Sequence, residues 1–167
     1  SSTASAAAAT CSSTTSSGPA VPERTRRSRR AGSKMVGRYV GRPGLYGNPW
    51  LLRRFQPVGP GPDPAFCDAI RSGTLKRWTV EGPGVTHGQM LFADARFGTQ
   101  YVVNRFASAL AHGELPYRLD DVRRELVGLD LACYCPLVGP DGQPWPCHAD
   151  VLLRAANSPL GTLLPAA

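Results

Sequence analysis

Two consecutive segments near the carboxyl end constrain the fold most strongly. Residues 129–135 form a short apolar run, which is typical of a buried strand. After a loop rich in glycine and proline, residues 147–157 place Val151, Leu152 and Ala155 on one face of a helix. A strand, a loop and a helix in this order favour an open α/β sheet, in which ligands bind beyond the carboxyl ends of the strands.

The rest of the pattern agrees with this architecture. Residues 36–40 predict a short strand, and residues 98–112 predict an amphipathic helix. Shorter helices are predicted over Pro64–Arg71 and over residues 120–128. Residues 51–90 show too little apolar periodicity for helices or strands to be assigned over their whole length. We therefore predict a single α/β domain, with a small open sheet flanked by helices.

Composition places this domain at residues 35–158, between two tails. Residues 1–34 are rich in Ser, Ala and Arg and lack apolar periodicity, so we predict that they are disordered. Their composition fits an organelle transit peptide as well as a disordered linker, and both interpretations stay open. Residues 159–167 are predicted to be a short C-terminal tail.

The positive charge is concentrated in the N-terminal tail. Residues 1–34 contain six of the 19 basic residues and one of the 12 acidic residues, and so carry +5 of the formal charge of +7. The domain is nearly neutral, which gives limited support to a basic nucleic-acid face. A protein associated with RNA or DNA would then bind mainly through the tail. We predict no membrane-spanning segment, since no apolar run approaches about 20 residues.

The five cysteines are not spaced as a disulfide framework. Cys11 lies in the tail, Cys67 stands alone, and the other three lie close together near the carboxyl end. This distribution favours an intracellular, reducing compartment, where thiols serve as ligands, reactive groups or small core residues.

The three clustered cysteines and a histidine admit three interpretations. In the first, Cys147 is a thiolate activated by the start of a helix, and His148 is a general acid or base. The catalytic residues would then be Cys135, Cys147, His148 and Asp150.

In the second interpretation the same region binds zinc. Three thiols and one imidazole suit a closed structural site, although the familiar C-x2-C spacing is missing. The metal ligands would be Cys133, Cys135, Cys147 and His148. In the third, Cys133 and Cys135 are small core residues, and His148 forms a hydrogen bond across a turn.

A loop of glycine, proline, basic and aromatic residues spans residues 41–50. Its glycines allow backbone N–H groups to approach a ligand, Arg42 can pair with a phosphate, and Trp50 can stack on a base. The predicted ligand-binding residues are Gly41, Arg42, Pro43, Gly47, Asn48 and Trp50. The alternative is a tight loop that packs on the core, with Arg42 in a local salt bridge.

Both motifs resemble one uncharacterised domain family of actinobacteria and phages, which is known only as a domain of unknown function. The family pattern is G-R-P-x-x-x-G-N-P-[FW] followed by L-A-C-W-C and C-H-[AG]-D-V-L. The chain matches it from Gly41 to Trp50 and again from Leu131 to Leu152. It departs from the pattern at Tyr134, where Trp is usual, and it has a longer loop before Cys147. The resemblance supports the fold and the site but implies no reaction.

Together these features favour a nucleotide- or nucleic-acid-directed enzyme, or a relative that only binds such a ligand. The alternative is a non-catalytic binding module stabilised by zinc, with three cysteines and one histidine as the ligands.

Overall fold

A computed structural model describes residues 21–26, 36–59 and 61–158. These residues form four helices and six short strands. The helices are α1 (Pro64–Arg71), α2 (Ala95–His112), α3 (Leu119–Leu126) and α4 (His148–Asn157). The predicted α/β class and the single domain are confirmed. The described strands are divided between two small sheets, however, whereas one sheet was predicted.

The first sheet is parallel and positions the motifs. Its central strand is β6 (Leu131–Cys133), which lies between β1 (Arg24–Arg26) and β2 (Arg38–Tyr39). All three residues of β6 are buried, which explains why this strand is an apolar run without alternation. Because the strands are parallel, the chain leaves β2 and β6 at the same edge of the sheet. The loop of residues 41–50 and the cysteine segment therefore start side by side.

The second sheet is antiparallel, in the order β3 (Leu51–Arg54), β4 (Trp78–Glu81) and β5 (Leu91–Phe92). It accounts for most of the segment that periodicity left unassigned. Helix α2 packs on β3 and β4, and the Cβ of an alanine at Gly98 would come within 2.5 Å of Leu52. Glycine at this helical position thus allows the helix to approach the sheet closely.

Helix ends follow local capping chemistry. The Asp94 carboxylate accepts hydrogen bonds from the backbone N–H groups of Arg96 and Phe97, so α2 starts three residues before the predicted Gly98. Gly113 ends α2 in the left-handed conformation, with φ of 69°. None of the described helices is long and apolar enough to cross a membrane.

The main core lies between α2, α3, α4 and the parallel sheet. Its large members are almost completely inaccessible to solvent, and they include Val40, Phe106, Leu126, Leu131, Val151 and Leu152. The core holds α4 against α3 and places the first turn of α4 beside the end of β6.

One part of the predicted tail is ordered in the structure. Composition assigns residues 24–26 to the tail, whereas they form β1 and pair with Leu131, Ala132 and Cys133. The reason is that β6 has a free edge, and β1 supplies its hydrogen-bond partners, such as the Glu23 carbonyl that accepts from the Leu131 N–H at 3.0 Å. The tail predictions for residues 1–20, 27–34 and 159–167 lie outside the described residues.

Candidate metal centre

Four side chains converge where β6 ends and α4 begins, and we call them the Cys/His cluster: Cys133, Cys135, Cys147 and His148. Cys133 is the last residue of β6, and Cys135 follows two positions later, on the same side of the chain. Cys147 is the N-cap of α4, where its sulfur accepts a hydrogen bond from the Ala149 N–H at 3.4 Å. His148 is the first residue of the helix.

The spacing of the four ligand atoms suits a tetrahedral metal ion. They all lie within 4.8 Å of one another. Cys133 Sγ is 3.5 Å from Cys135 Sγ, and Cys147 Sγ is 3.8 Å from His148 Nδ1. Zinc, bound at about 2.3 Å to sulfur and about 2.0 Å to nitrogen, keeps tetrahedral ligand atoms about 3.5–3.8 Å apart. The cluster therefore needs little rearrangement to bind zinc.

The imidazole of His148 is fixed by a backbone acceptor from the other motif. Its Nε2 lies 2.8 Å from the carbonyl oxygen of Val40, the residue just before the loop of residues 41–50. Because a carbonyl can only accept, we assign the proton to Nε2, which leaves the Nδ1 lone pair facing the thiols. The edge-on ring of Phe106, at 5.3 Å, also orients the imidazole. A histidine that binds a metal commonly donates its second N–H in this way.

Hydrogen bonding makes the three thiols unequal. Hydrogen bonds from the Cys133 and Cys135 thiols hold the pKa of Cys147 well below its ordinary value. The pKa of Cys135 is raised, because it shares hydrogen bonds with Cys133 and Cys147 and is partly buried. The three thiols thus differ in how readily they release their protons, and a bound cation would displace the protons that remain.

The cluster is largely closed to solvent. Cys133, Cys147 and His148 are 4%, 2% and 6% exposed, and Cys135 is only partly exposed. A small ion fits such a site, whereas a substrate could contact only the Cys135 side. The arrangement favours coordination over attack on a bulky ligand.

Asp150 lies near the cluster but is not part of it. Its carboxylate is 3.1 Å from the Nε of Arg24 on β1, and the Arg24 side chain also donates to the Leu137 carbonyl at 3.1 Å. Burial raises the pKa of Asp150, and the positive charge of Arg24 opposes that change. The pair ties β1 to the first turn of α4 and to the loop between the ligands.

The start of the loop of residues 41–50 adjoins the cluster, since Val40 directly before it contacts His148 and the charge of Arg42 acts on the sulfurs. Arg42 is exposed. Burial of part of its side chain and the neighbouring Arg53 lower the pKa of Arg42, while the sulfurs of Cys135 and Cys133 oppose that change. The positive charge of Arg42 would therefore oppose the net negative charge that three thiolates around a dication carry.

The glycines of this loop serve its own packing. The Cβ of an alanine at Gly41 would lie 2.5 Å from the Tyr39 hydroxyl oxygen, and one at Gly47 would lie 2.7 Å from Cγ of Arg42. Both distances are shorter than real contacts, so these positions require glycine. Pro43 is exposed and follows a cis peptide bond.

Asn48 and Trp50 face the interior of the protein. The amide of Asn48 donates to the Val102 carbonyl at 3.1 Å and accepts from the Trp50 N–H at 2.9 Å. The Trp50 indole is buried and donates to the Pro83 carbonyl at 3.0 Å. In the described structure these side chains therefore join the loop to α2 and to the turn after β4, and their ligand-binding role stays a prediction.

Sequence reasoning missed three contributors to the site: Arg24, Val40 and Arg53. Arg24 carries no apolar or turn signal, and Val40 contributes only a backbone oxygen. Arg53 follows Leu52 in a strand without alternation, so its electrostatic effect on Arg42 was not predictable.

Comparison with known proteins gives one result. The family model described as Domain of unknown function (DUF4326) matches residues 24–158, which include β1 and both motifs. No curated protein and no solved structure gave a significant match. The predicted resemblance to a domain-of-unknown-function family is confirmed.

Proposed function

The chain belongs to the DUF4326 family, a family of domains of unknown function, and we propose that it is a binding module whose functional end is held by one zinc ion. The ligands are the Sγ atoms of Cys133, Cys135 and Cys147 and the Nδ1 atom of His148. Zinc would join the end of β6 to the start of α4 and fix the loop between them. Three thiolates and one imidazole leave no open coordination position, which is the pattern of a structural site.

The observation that carries this proposal is the hydrogen bond between His148 and the Val40 carbonyl, at 2.8 Å. It directs the unprotonated nitrogen of a buried imidazole toward three sulfur atoms. A histidine with a purely packing role has no need of such an arrangement. Without a cation or a thiol proton beside it, the unprotonated Nδ1 atom would be a buried hydrogen-bond acceptor with no partner.

A metal assay on the purified full chain tests the proposal. We expect about one zinc per chain and loss of cooperative folding after chelation, because metal binding is coupled to folding at such sites. Cys147→Ser and His148→Ala should each lower the zinc content. Cys67→Ala is the matched control, since Cys67 is equally buried but lies on α1, outside the cluster. A metal-free chain that remains fully folded contradicts the proposal.

A nucleotide-directed enzyme is the second candidate, and the position of Arg42 favours it. This exposed guanidinium interacts electrostatically with Cys135, the cysteine of the cluster with the greatest access to solvent. Arg42 would hold a phosphate, while Cys135 or Cys147 would react. Against this candidate, His148 is buried with its Nε2 already bonded to a backbone oxygen.

Alkylation separates the two candidates. Iodoacetamide should modify the zinc-loaded chain slowly, because metal-bound and buried thiolates are protected. Rapid modification of Cys135 or Cys147 in untreated protein, suppressed by added nucleotide, would support the enzyme instead. Cys67 again reports the background rate of a buried thiol outside the cluster.

A further inference from the structure

The charge of the domain is distributed asymmetrically between its two halves. Residues 36–59 contain four arginines and no acidic residue, whereas residues 61–158 contain nine basic and eleven acidic residues. Two of those nine, Lys76 and Arg77, lie directly before β4. We call the resulting group the basic edge: Arg42, Arg53, Arg54, Lys76 and Arg77. The near neutrality of the whole domain therefore conceals a strongly positive region.

Five of the ten arginines elsewhere in the described residues are paired with carboxylates on the same or a neighbouring element. These pairs are Arg24–Asp150, Arg71–Asp68, Arg96–Asp141, Arg123–Asp120 and Arg124–Asp121. On the basic edge, only Arg53 has an ion pair within the described residues, and its partner Glu81 is shared with His87. No carboxylate pairs with the other four cations of the edge in the part of the chain that the structure describes, although the charge of Arg42 also acts on the sulfurs of the Cys/His cluster.

The strand geometry lines four of these cations, Arg53, Arg54, Lys76 and Arg77, along one border of the second sheet, and the charge of Arg42 acts on Arg53 from the preceding loop. β3 is an edge strand, Arg54 pairs with Trp78 across the sheet, and the Phe55 N–H bonds the Arg77 carbonyl at 2.9 Å. Side chains alternate along a strand, so Arg53 and Arg54 project to opposite sides of this border. Four residues of strand extend about 13 Å. The border thus offers a positive track a few nucleotides long.

Planar side chains accompany the charges. The Arg54 guanidinium lies 5.8 Å from the centre of the partly exposed Trp78 ring, and the Phe55 and His87 rings are 5.6 Å apart at an angle of 30°. Aromatic rings and guanidinium planes next to cations are the features that bind unpaired bases and their phosphates. A purely electrostatic contact with an acidic protein would not need them.

We propose that the basic edge binds single-stranded nucleic acid, with the phosphates on Arg42, Arg53, Arg54, Lys76 and Arg77 and bases against Trp78 and Phe55. This names the partner of the binding module proposed above and rests on that function. Binding of nucleic acid by the basic edge depends on the folded second sheet, whereas the zinc ligands lie at the end of β6 and the start of α4. The two proposals can therefore fail separately.

The test compares two double variants of the full chain that remove equal charge. Arg54→Gln with Arg77→Gln alters the basic edge. Arg118→Gln with Arg154→Gln is the matched control, because both residues are exposed and lie at α3 and α4. Fluorescence anisotropy with a labelled oligothymidylate of about 12 nucleotides gives the affinity of each chain. The basic residues before residue 36 are the same in all the chains compared, so any binding by them does not affect the difference in affinity between the two variants.

The edge variant should bind on the order of tenfold more weakly at low salt. The slope of the logarithm of its affinity against the logarithm of the salt concentration should be less steep by about 1.4, which corresponds to the loss of two phosphate contacts on a single strand. The control should stay within about twofold of the unmodified chain. Equal binding by the two variants contradicts the proposal, and so does equal affinity of the unmodified chain for polyglutamate. Zinc content measured on each chain identifies a failure of the metal proposal independently.

Discussion

Arg24 and Asp150 form an ion pair that joins the first strand to the last helix, with Nε of Arg24 3.1 Å from Oδ1 of Asp150. The Arg24 side chain is 8% exposed and that of Asp150 is 41% exposed. Arg24 also donates to the Leu137 carbonyl, in the loop that connects Cys135 to Cys147. A strand of three residues thereby holds both the helix and the loop that carry the Cys/His cluster.

Replacement of Arg24 by Met should lower the free energy of unfolding by about 1–3 kcal/mol, less than for a fully buried pair because Asp150 is partly hydrated. Urea unfolding of the zinc-loaded chain measures this change. Arg154→Met is the control, since it removes an exposed arginine from α4. Arg24→Met with Asp150→Asn should recover part of the loss, because the double variant leaves no buried charge unpaired. Equal stability of the two Met variants would refute the role of the pair.

Tyr46 predicts a loss of stability at alkaline pH. Its hydroxyl donates to Glu125 at 2.7 Å, and its ring is buried against Tyr117. Burial, followed by the hydrogen bond and charge of Glu125, raises the pKa of Tyr46 to about 12. An unfolded tyrosine has a pKa of about 10. The folded chain thus holds this proton more tightly, so the stabilisation is complete below pH 10 and disappears as the pH rises towards 12.

Tyr46→Phe isolates this effect from other groups that ionise at high pH. At pH 8 the variant should be less stable by about 1 kcal/mol, the usual contribution of a hydrogen bond. The difference between the two chains in urea unfolding should shrink at about pH 11. If it stays constant, Tyr46 ionises as freely in the folded chain as in the unfolded one.

Regular periodicity identified the helices and the parallel core from the sequence, but not the second sheet. The apolar stripe of α2 and the buried run of β6 follow directly from their residues. The β3 sequence Leu-Leu-Arg-Arg does not alternate, and in β4 both Thr79 and Val80 are buried, one on each face. The outer face of Thr79 is covered by the loop at Gly88, whose N–H bonds the Thr79 hydroxyl at 3.1 Å. Such a cover is a tertiary contact that no local pattern reveals.

The candidate site was predictable in its location but not in its details. The open α/β sheet that the sequence predicted binds ligands beyond the carboxyl ends of its strands, so a site at the end of the strand of residues 129–135 was expected. The hydrogen bond of His148 to the Val40 carbonyl spans 108 positions and uses a backbone atom, which has no sequence signature. The internal roles of Asn48 and Trp50 likewise depend on where α2 and β4 pack.

Zinc binding should release protons, because the thiols differ in their pKa. Hydrogen bonding lowers the pKa of Cys147, whereas the pKa values of Cys133 and Cys135 are raised, so these two thiols hold their protons more tightly. Zinc must displace about two protons, and its affinity should therefore rise with pH between about 6 and 8. Calorimetry in buffers of different ionisation enthalpy counts the protons. A pH-independent affinity would show that these sulfurs are not the ligands.

His148 provides the sharpest distinction between coordination and packing. His148→Cys keeps four zinc ligands, and a set of four thiolates binds zinc well, so the metal content should stay near one per chain. The Val40 carbonyl loses its donor, however, which should cost about 1–3 kcal/mol of folding free energy. X-ray absorption should show one nitrogen ligand in the unmodified chain and sulfur alone in the variant.

His148→Phe completes this comparison, because phenylalanine can still pack against Phe106 but cannot bind metal. If His148 is a ligand, this variant should lose zinc affinity by about tenfold or more, while His148→Cys retains it. His112→Ala serves as the control, since His112 is exposed at the end of α2. If the Phe variant binds zinc as tightly as the control, the imidazole only packs. The hydrogen bond to Val40 would then orient a core side chain and not a metal ligand.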